Sequence, residues 1–188
     1  KSLAAIMRLF LFQFAVRGND RGPGTLMMDK GTAQQRIAFW IAVWGGAGLI
    51  KPAPGTWGSL AALPFAYVIS LFFPLWAFLL IIGFIFLSGL WACAVYSQQS
   101  GAQDASEIVV DEVVGQWVAL IPMFALAPNF WLAGVVAFAL FRAFDIIKPW
   151  PISWADKRHD ALGVMLDDVF AGVLAALLSW GMILYVLR

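Results

Sequence analysis

SLAALPFAYVISLFFPLWAFLLIIGFIFLSGLWACAVYS, residues 59–97, runs without one charged side chain. About 20 apolar residues suffice for a helix to cross the roughly 30 Å of bilayer hydrocarbon, so this run is long enough to cross twice. Pro74 divides it. A proline inside a helix removes a backbone donor and clashes with the preceding turn, so the spacing predicts a short helix over 59–73 and a longer one over 75–97, paired as a hairpin. The whole chain agrees with a membrane solvent: 62% of its residues are hydrophobic and 12% charged, against about 45–50% and about 25% in soluble domains. A formal net charge of +1 supplies no basic field, and no nucleic-acid partner is expected. One cysteine, Cys93, excludes an intramolecular disulfide and a cysteine-based zinc site.

Beyond the hairpin, residues 97–112 carry Asp104, Glu107, Asp111 and Glu112 with no Lys or Arg. Residues 113–141 are again uncharged and are interrupted near Pro122 and Pro128, which predicts a third helix, a turn and a fourth helix. A mixed cluster follows over 142–168, and an apolar fifth helix over 169–187. Before the hairpin, residues 37–50 form a short apolar run ending in Gly45-Gly46-Ala47-Gly48, which reads as a re-entrant or interfacial segment. Residues 1–36 hold an apolar run, 3–16, in which Leu3, Ile6, Met7, Phe10, Leu11 and Phe14 recur at helical spacing. An interfacial helix is expected there, because Ala15-Val16-Arg17 offers no small-residue cleavage site. The expected organisation is therefore an N-terminal interfacial segment, 1–36, and a membrane-embedded domain, 37–188: an all-α polytopic bundle of about four to five membrane helices.

Counting crossings turns the list into geometry. One hairpin separates Lys51 from the acidic cluster, and a second separates the acidic from the mixed cluster. Two crossings return a chain to the face it left, so the charged residues from Lys51 to Asp168 meet at one membrane surface. The Lys and Arg content of these clusters assigns that surface to the cytoplasm.

Asp111-Glu112 and Asp167-Asp168 each open a predicted membrane helix. One carboxylate of each pair can be explained by helix capping and the helix dipole. The second adds like-charge repulsion in a desolvating place, which calls for a cation. Arg142 and Lys148 are candidates, giving a purely structural pairing. The other candidate is a bound divalent ion, and oxygen donors without a His or Cys set favour Mg²⁺. Arg142, Asp145 and Lys148 recur every third residue and are expected on one face at the end of helix four, either as a closed ion-pair group or as a site for phosphate. Pro54-Gly55-Thr56-Trp57-Gly58-Ser59 places amides and hydroxyls at a helix start, where anions bind, or simply starts a helix; Thr56 and Ser59 are its candidate substrate-binding residues. His159, between Arg158 and Asp160, reads as a solvated loop residue rather than a general acid.

Four stretches, Pro54-Gly55-Thr56-Trp57-Gly58-Ser59-Leu60-Ala61-Ala62, Asp111-Glu112-Val113-Val114-Gly115-Gln116-Trp117, Phe141-Arg142-Ala143-Phe144-Asp145-Ile146-Ile147-Lys148-Pro149-Trp150-Pro151-Ile152 and Gly163-Val164-Met165-Leu166-Asp167-Asp168-Val169-Phe170-Ala171-Gly172, resemble in order and spacing the motifs of the phosphatidylglycerophosphatase A family. The resemblance covers residues 37–187. It implies a Mg²⁺-dependent phosphatase of the bacterial cytoplasmic (inner) membrane that converts the lipid phosphatidylglycerophosphate to phosphatidylglycerol and inorganic phosphate. By the same resemblance Asp111, Glu112, Asp145, Asp167 and Asp168 are catalytic and metal-binding, and Arg142 and Lys148 bind substrate. The implied chemistry is in-line attack by a water the metal activates, with a phospho-aspartyl route as its competitor. One departure stands out: Asp160-Ala161 occupies a place where the family usually has Gly-Gly, which would add charge to the site.

Other phosphatase chemistries lack their residues. Cys93 has Gln99, not Arg, six positions on. A single histidine cannot supply a two-histidine mechanism. No Asp-x-Asp occurs for a haloacid-type nucleophile, and no Asp-Gly-x-x-Ala-Arg for a CDP-alcohol phosphotransferase. A non-catalytic transporter or channel subunit using the acidic pairs as a cation site is the alternative. It is disfavoured because conduction needs polar groups at several depths, and these helices carry almost none in their middles.

Overall fold

The computed structural model describes residues 31–100, 105–126 and 130–186. The helix expected over 3–16 and the side chain of Asp104 lie outside them. Among the described residues the fold is entirely helical. The elements are α1 (Ala33–Ala42), a 3₁₀ segment (Trp44–Leu49), α2 (Pro54–Phe72), α3 (Leu75–Ser100), α4 (Val110–Ala119), α5 (Ile121–Leu126), α6 (Phe130–Ile147), α7 (Ile152–Asp156) and α8 (Ala161–Val186).

Local sequence accounts for the boundaries. Thr32 and Gln35 form a capping box at the start of α1: the Thr32 hydroxyl accepts from the Gln35 amide, and the Gln35 side chain accepts from the Thr32 amide at 2.7 Å. The chain leaves α1 through Gly45 and Gly46, whose φ values of 62° and 107° favour glycine. α2 begins five residues before the expected Ser59, because Pro54 occupies its first turn with φ already set for a helix. It stops ahead of Pro74, since the residue before a proline is pushed out of helical geometry. On α3, Phe78, Ile82, Gly89, Ala92, Cys93 and Tyr96 are buried at helical spacing, while Leu79, Leu80, Phe84 and Leu87 face outward. An apolar outer surface of this kind suits lipid.

Among the described residues three helices are long and apolar enough to cross a membrane: Pro54–Phe72, Leu75–Ser100 and Ala161–Tyr185. The expected third helix differs most from its sequence reading. It is two short helices, α4 and α5, parted at Leu120 beside Pro122. At 1.5 Å per residue α4 is only about 15 Å long, half the hydrocarbon thickness. α4 is the buried centre of the bundle, with every residue from Val113 to Ala119 enclosed, and α2, α3, α6 and most extensively α8 pack around it.

The return of both passages to one end, expected from crossing parity, is seen in contacts. Gly55 at the start of α2 abuts Glu112, and Tyr96 near the end of α3 donates to Glu107 at 2.7 Å. Asp111 at the start of α4 lines the same cleft as Lys148 just past α6.

Candidate active site

The cleft is set by how α4 and α8 cross. On each helix a glycine follows a carboxylate by one turn: Asp111 and Gly115 on α4, Asp168 and Gly172 on α8. A Cβ added to Gly172 would stand 2.3 Å from the Gly115 carbonyl oxygen, and one on Gly115 would stand 2.5 Å from the Asp168 carbonyl oxygen. Such distances admit only glycine, so backbone meets backbone there, as in small-residue crossings of membrane helices. That approach draws the carboxylates together. Asp111, Glu112 and Asp168 each offer an oxygen within 4.8 Å of the others.

α2 closes one side by a similar device. A Cβ on Gly55 would lie 2.0 Å from Glu112 Oε1 and 3.3 Å from Arg142 Nη1. Glu112 thereby sits against the first turn of α2, where free amides favour a carboxylate. Ser59 is fully buried; its Oγ donates to the Gly55 carbonyl at 2.8 Å and accepts from Arg142 Nη1 at 3.5 Å. Arg142 Nη1 also pairs with Asp145 Oδ2 at 2.7 Å.

These parts surround a cavity of about 360 Å³ lined by Asp111, Glu112, Asp145, Lys148, Asp156, Arg158, His159, Val164, Asp167 and Asp168. All five predicted acidic residues and Lys148 therefore converge. Arg142 and Ser59 stand behind the lining, and Thr56 is a half-buried residue of the first turn of α2, so neither predicted hydroxyl reaches the cavity. The expected single face of Arg142, Asp145 and Lys148 is broken. α6 ends at Ile147, Lys148 has φ 47°, and the lysine turns away to pair with Asp156 and, at 2.8 Å, with Asp167 Oδ2. Burial alone would lower the Lys148 pKa, but its hydrogen bonds to Asp156 and Asp167 outweigh that and raise it, so the lysine is a cation at neutral pH.

Glu107 stays outside, engaged by Tyr96. The departure at Asp160 is structural: Asp160 Oδ1 accepts from the Gly163 amide at 2.7 Å, capping α8, and Arg158 Nη2 donates to Asp160 Oδ2 at 2.8 Å. The hydrogen bond from Arg158, then that from Gly163, hold the Asp160 carboxyl below its ordinary pKa. Its charge is directed at Arg158 and the helix start, not into the cavity. Asp156, Arg158 and His159 are lining residues that sequence reading did not assign. The residues between α7 and α8 fold over the cleft, and no spacing signal announces that; a lone His flanked by charges was the available hint.

The donor set fits a hard divalent cation. Glu112 Oε2 and Asp168 Oδ1 are buried with no hydrogen-bond partner among the described residues, and three carboxylates at such range, those of Asp111 and Asp168 on buried residues and that of Glu112 on a half-buried one, repel one another unless a cation joins them. No His or Cys belongs to the trio, which matches the oxygen preference of Mg²⁺ or Ca²⁺. Asp145 and Asp167 are instead each paired with a basic side chain.

Residues 40–183 match the family model described as phosphatidylglycerophosphatase A. The chain is 39% identical over 157 residues to the phosphatidylglycerophosphatase A of Escherichia coli K12, covering 80% of this chain and 89% of that protein. It is also 39% identical over 138 residues to the Haemophilus influenzae phosphatidylglycerophosphatase A, covering 73% and 83%. A Bacteroides thetaiotaomicron protein provisionally named a phosphatidylinositol-3-phosphatase is 36% identical over 140 residues, covering 71% and 85%. No solved structure matches.

Proposed function

The chain belongs to the phosphatidylglycerophosphatase A family, and on that premise we propose that it hydrolyses the terminal phosphomonoester of phosphatidylglycerophosphate with Mg²⁺ as cofactor, at the cytoplasmic face of a bacterial inner membrane. The observation that carries the reading is the trio Asp111, Glu112 and Asp168, with oxygens within 4.8 Å of one another, on the wall of a cavity that also holds Lys148. A cavity lined by hard oxygen donors beside a fixed cation suits a phosphomonoester and a divalent ion together.

Asp111, Glu112 and Asp168 would hold the ion, which when bound neutralises phosphoryl charge and makes water a better nucleophile. The chain's own residues do the positioning. Asp156 and Asp167 hold the Lys148 ammonium from two sides, so its remaining donor capacity is aimed at a phosphate oxygen without a long side chain having to be ordered on binding. Asp167 contributes by fixing that lysine. Arg142, clamped between Ser59 and Asp145, fixes the Asp145 carboxylate in the lining. The lipid tails lie along the apolar outer faces of α2, α3 and α8, the helices long and apolar enough to cross the bilayer.

The test is phosphate release from phosphatidylglycerophosphate in detergent micelles, with and without a chelator. Release that stops on chelation and returns with added Mg²⁺ is expected. Release unaffected by thorough chelation would remove the metal from the mechanism. No release with Mg²⁺ present would remove the substrate assignment.

A further inference from the structure

The proposed substrate carries two phosphates: the terminal monoester and, across a glycerol, the phosphodiester that joins the headgroup to diacylglycerol. The residues described so far account for the first. The same cavity is also lined by Arg158 and His159, from the connection between α7 and α8. Arg158 is not free to wander. Its Nη2 and Nε donate to the two Asp160 oxygens at 2.8 and 3.3 Å, and its guanidinium carbon lies 6.0 Å from the centre of the Trp154 ring. Trp154 in turn packs against Phe170 of α8 at 6.4 Å between ring centres.

A guanidinium has five N–H donors in a rigid fork. Two are spent on Asp160, and 39% of the side chain remains exposed, which leaves an edge of the fork available to a ligand. A buttressed, partly open arginine beside an aromatic ring is an arrangement suited to a phosphate oxygen pair. The position fits too. Asp160 caps α8 and Asp167 lies seven residues further along it, so the arginine's anchor is about 10 Å along the helix axis from the carboxylates. That is the order of separation needed when one end of the cavity grips the monoester and the other the phosphodiester.

We infer that Arg158, assisted by His159, binds the phosphodiester of the headgroup and so selects a lipid with two phosphates over a lipid with one. This rests on the proposed substrate. If Arg158 were only a structural partner of Asp160, its loss would change stability and leave substrate preference alone.

The experiment compares phosphatidylglycerophosphate with phosphatidic acid, a lipid phosphomonoester lacking the phosphodiester, in the same micelles. The readout is the ratio of their kcat/KM values, with Ki for phosphatidic acid replacing its kcat/KM if it acts only as a competitor. Arg158→Gln is expected to lower the preference about tenfold, the loss of one charge-assisted hydrogen bond, through a raised KM for phosphatidylglycerophosphate. Arg158→Lys should regain part of it. Lys157→Gln removes the same charge from the exposed neighbour outside the lining and should leave the ratio as in the unaltered protein. An unchanged ratio in Arg158→Gln, or an equal fall in Lys157→Gln, overturns the inference, the latter by reducing it to general surface charge. Failure of the unaltered protein to release phosphate from phosphatidylglycerophosphate would instead overturn the proposed function, and the inference with it.

Discussion

Asp168 carries the sharpest conflict in the molecule between stability and chemistry. It is 3% exposed, its Oδ1 has no partner among the described residues, and it faces two further carboxylates. An uncompensated buried charge costs several kcal/mol, so the metal-free protein is strained here. Asp168→Asn keeps the shape, removes one negative charge and supplies two N–H donors to the neighbouring oxygens. Two opposite effects are expected: a higher unfolding temperature than the unaltered protein in chelator, and phosphate release lowered at least about 10²-fold in Mg²⁺, the scale for loss of a central electrostatic group. Thermal unfolding and turnover measured on one preparation check both, and retained turnover would remove Asp168 from the metal site. The acidic pairs were legible in sequence because adjacent carboxylates have no bland use beside an apolar run. Which member does what was not. Successive helical residues point about 100° apart, and only the packing of α8 sends Asp168 to the trio and Asp167 to Lys148.

At the scale of elements, the site depends on α4 and α8 touching through Gly115 and Gly172. A methyl group at Gly172 would meet the Gly115 carbonyl at 2.3 Å, and backbone cannot yield as a side-chain tip does. Gly172→Ala should therefore spread the two helices, destabilise the fold by about 1–3 kcal/mol and reduce turnover more than the stability loss explains, because Asp168 sits one turn away on the helix that moves. Gly181 lies on the same helix with nothing within 4 Å of an added Cβ, so Gly181→Ala is the matched control and should leave turnover unchanged. Equal behaviour of the two variants would dissociate the crossing from the site. The glycines were visible in the sequence motifs, but their pairing is a tertiary fact. The same holds for α4. An uncharged run of this composition reads identically whether lipid or protein surrounds it, so hydropathy gave a crossing helix where the fold has a short, enclosed one. Proline, by contrast, marked the ends of α2 and α5 locally and was readable at once.

For the whole molecule the charge distribution predicts which way the cleft faces. The cleft end collects Lys51, Arg142, Lys148, Lys157 and Arg158, whereas the segments that join α2 to α3 and α5 to α6 contain no Lys or Arg. Short-loop Lys and Arg, with little offset from acidic residues, hold a membrane protein's segments on the cytoplasmic side. The cleft should face the cytoplasm, where a soluble cation and the released phosphate also exchange. Cys93 is buried and is the sole cysteine of the chain, so a single added thiol reports its own side. Lys157 is exposed beside the cleft, and Lys157→Cys is expected to react with a membrane-impermeant maleimide in inverted membrane vesicles and not in right-side-out ones until they are permeabilised. The reverse pattern would turn the protein over in the membrane. Labelling from both sides would show instead that the connection between α7 and α8 is not held at one surface, against the parity by which the paired passages α2–α3 and α4–α6 return to a common end.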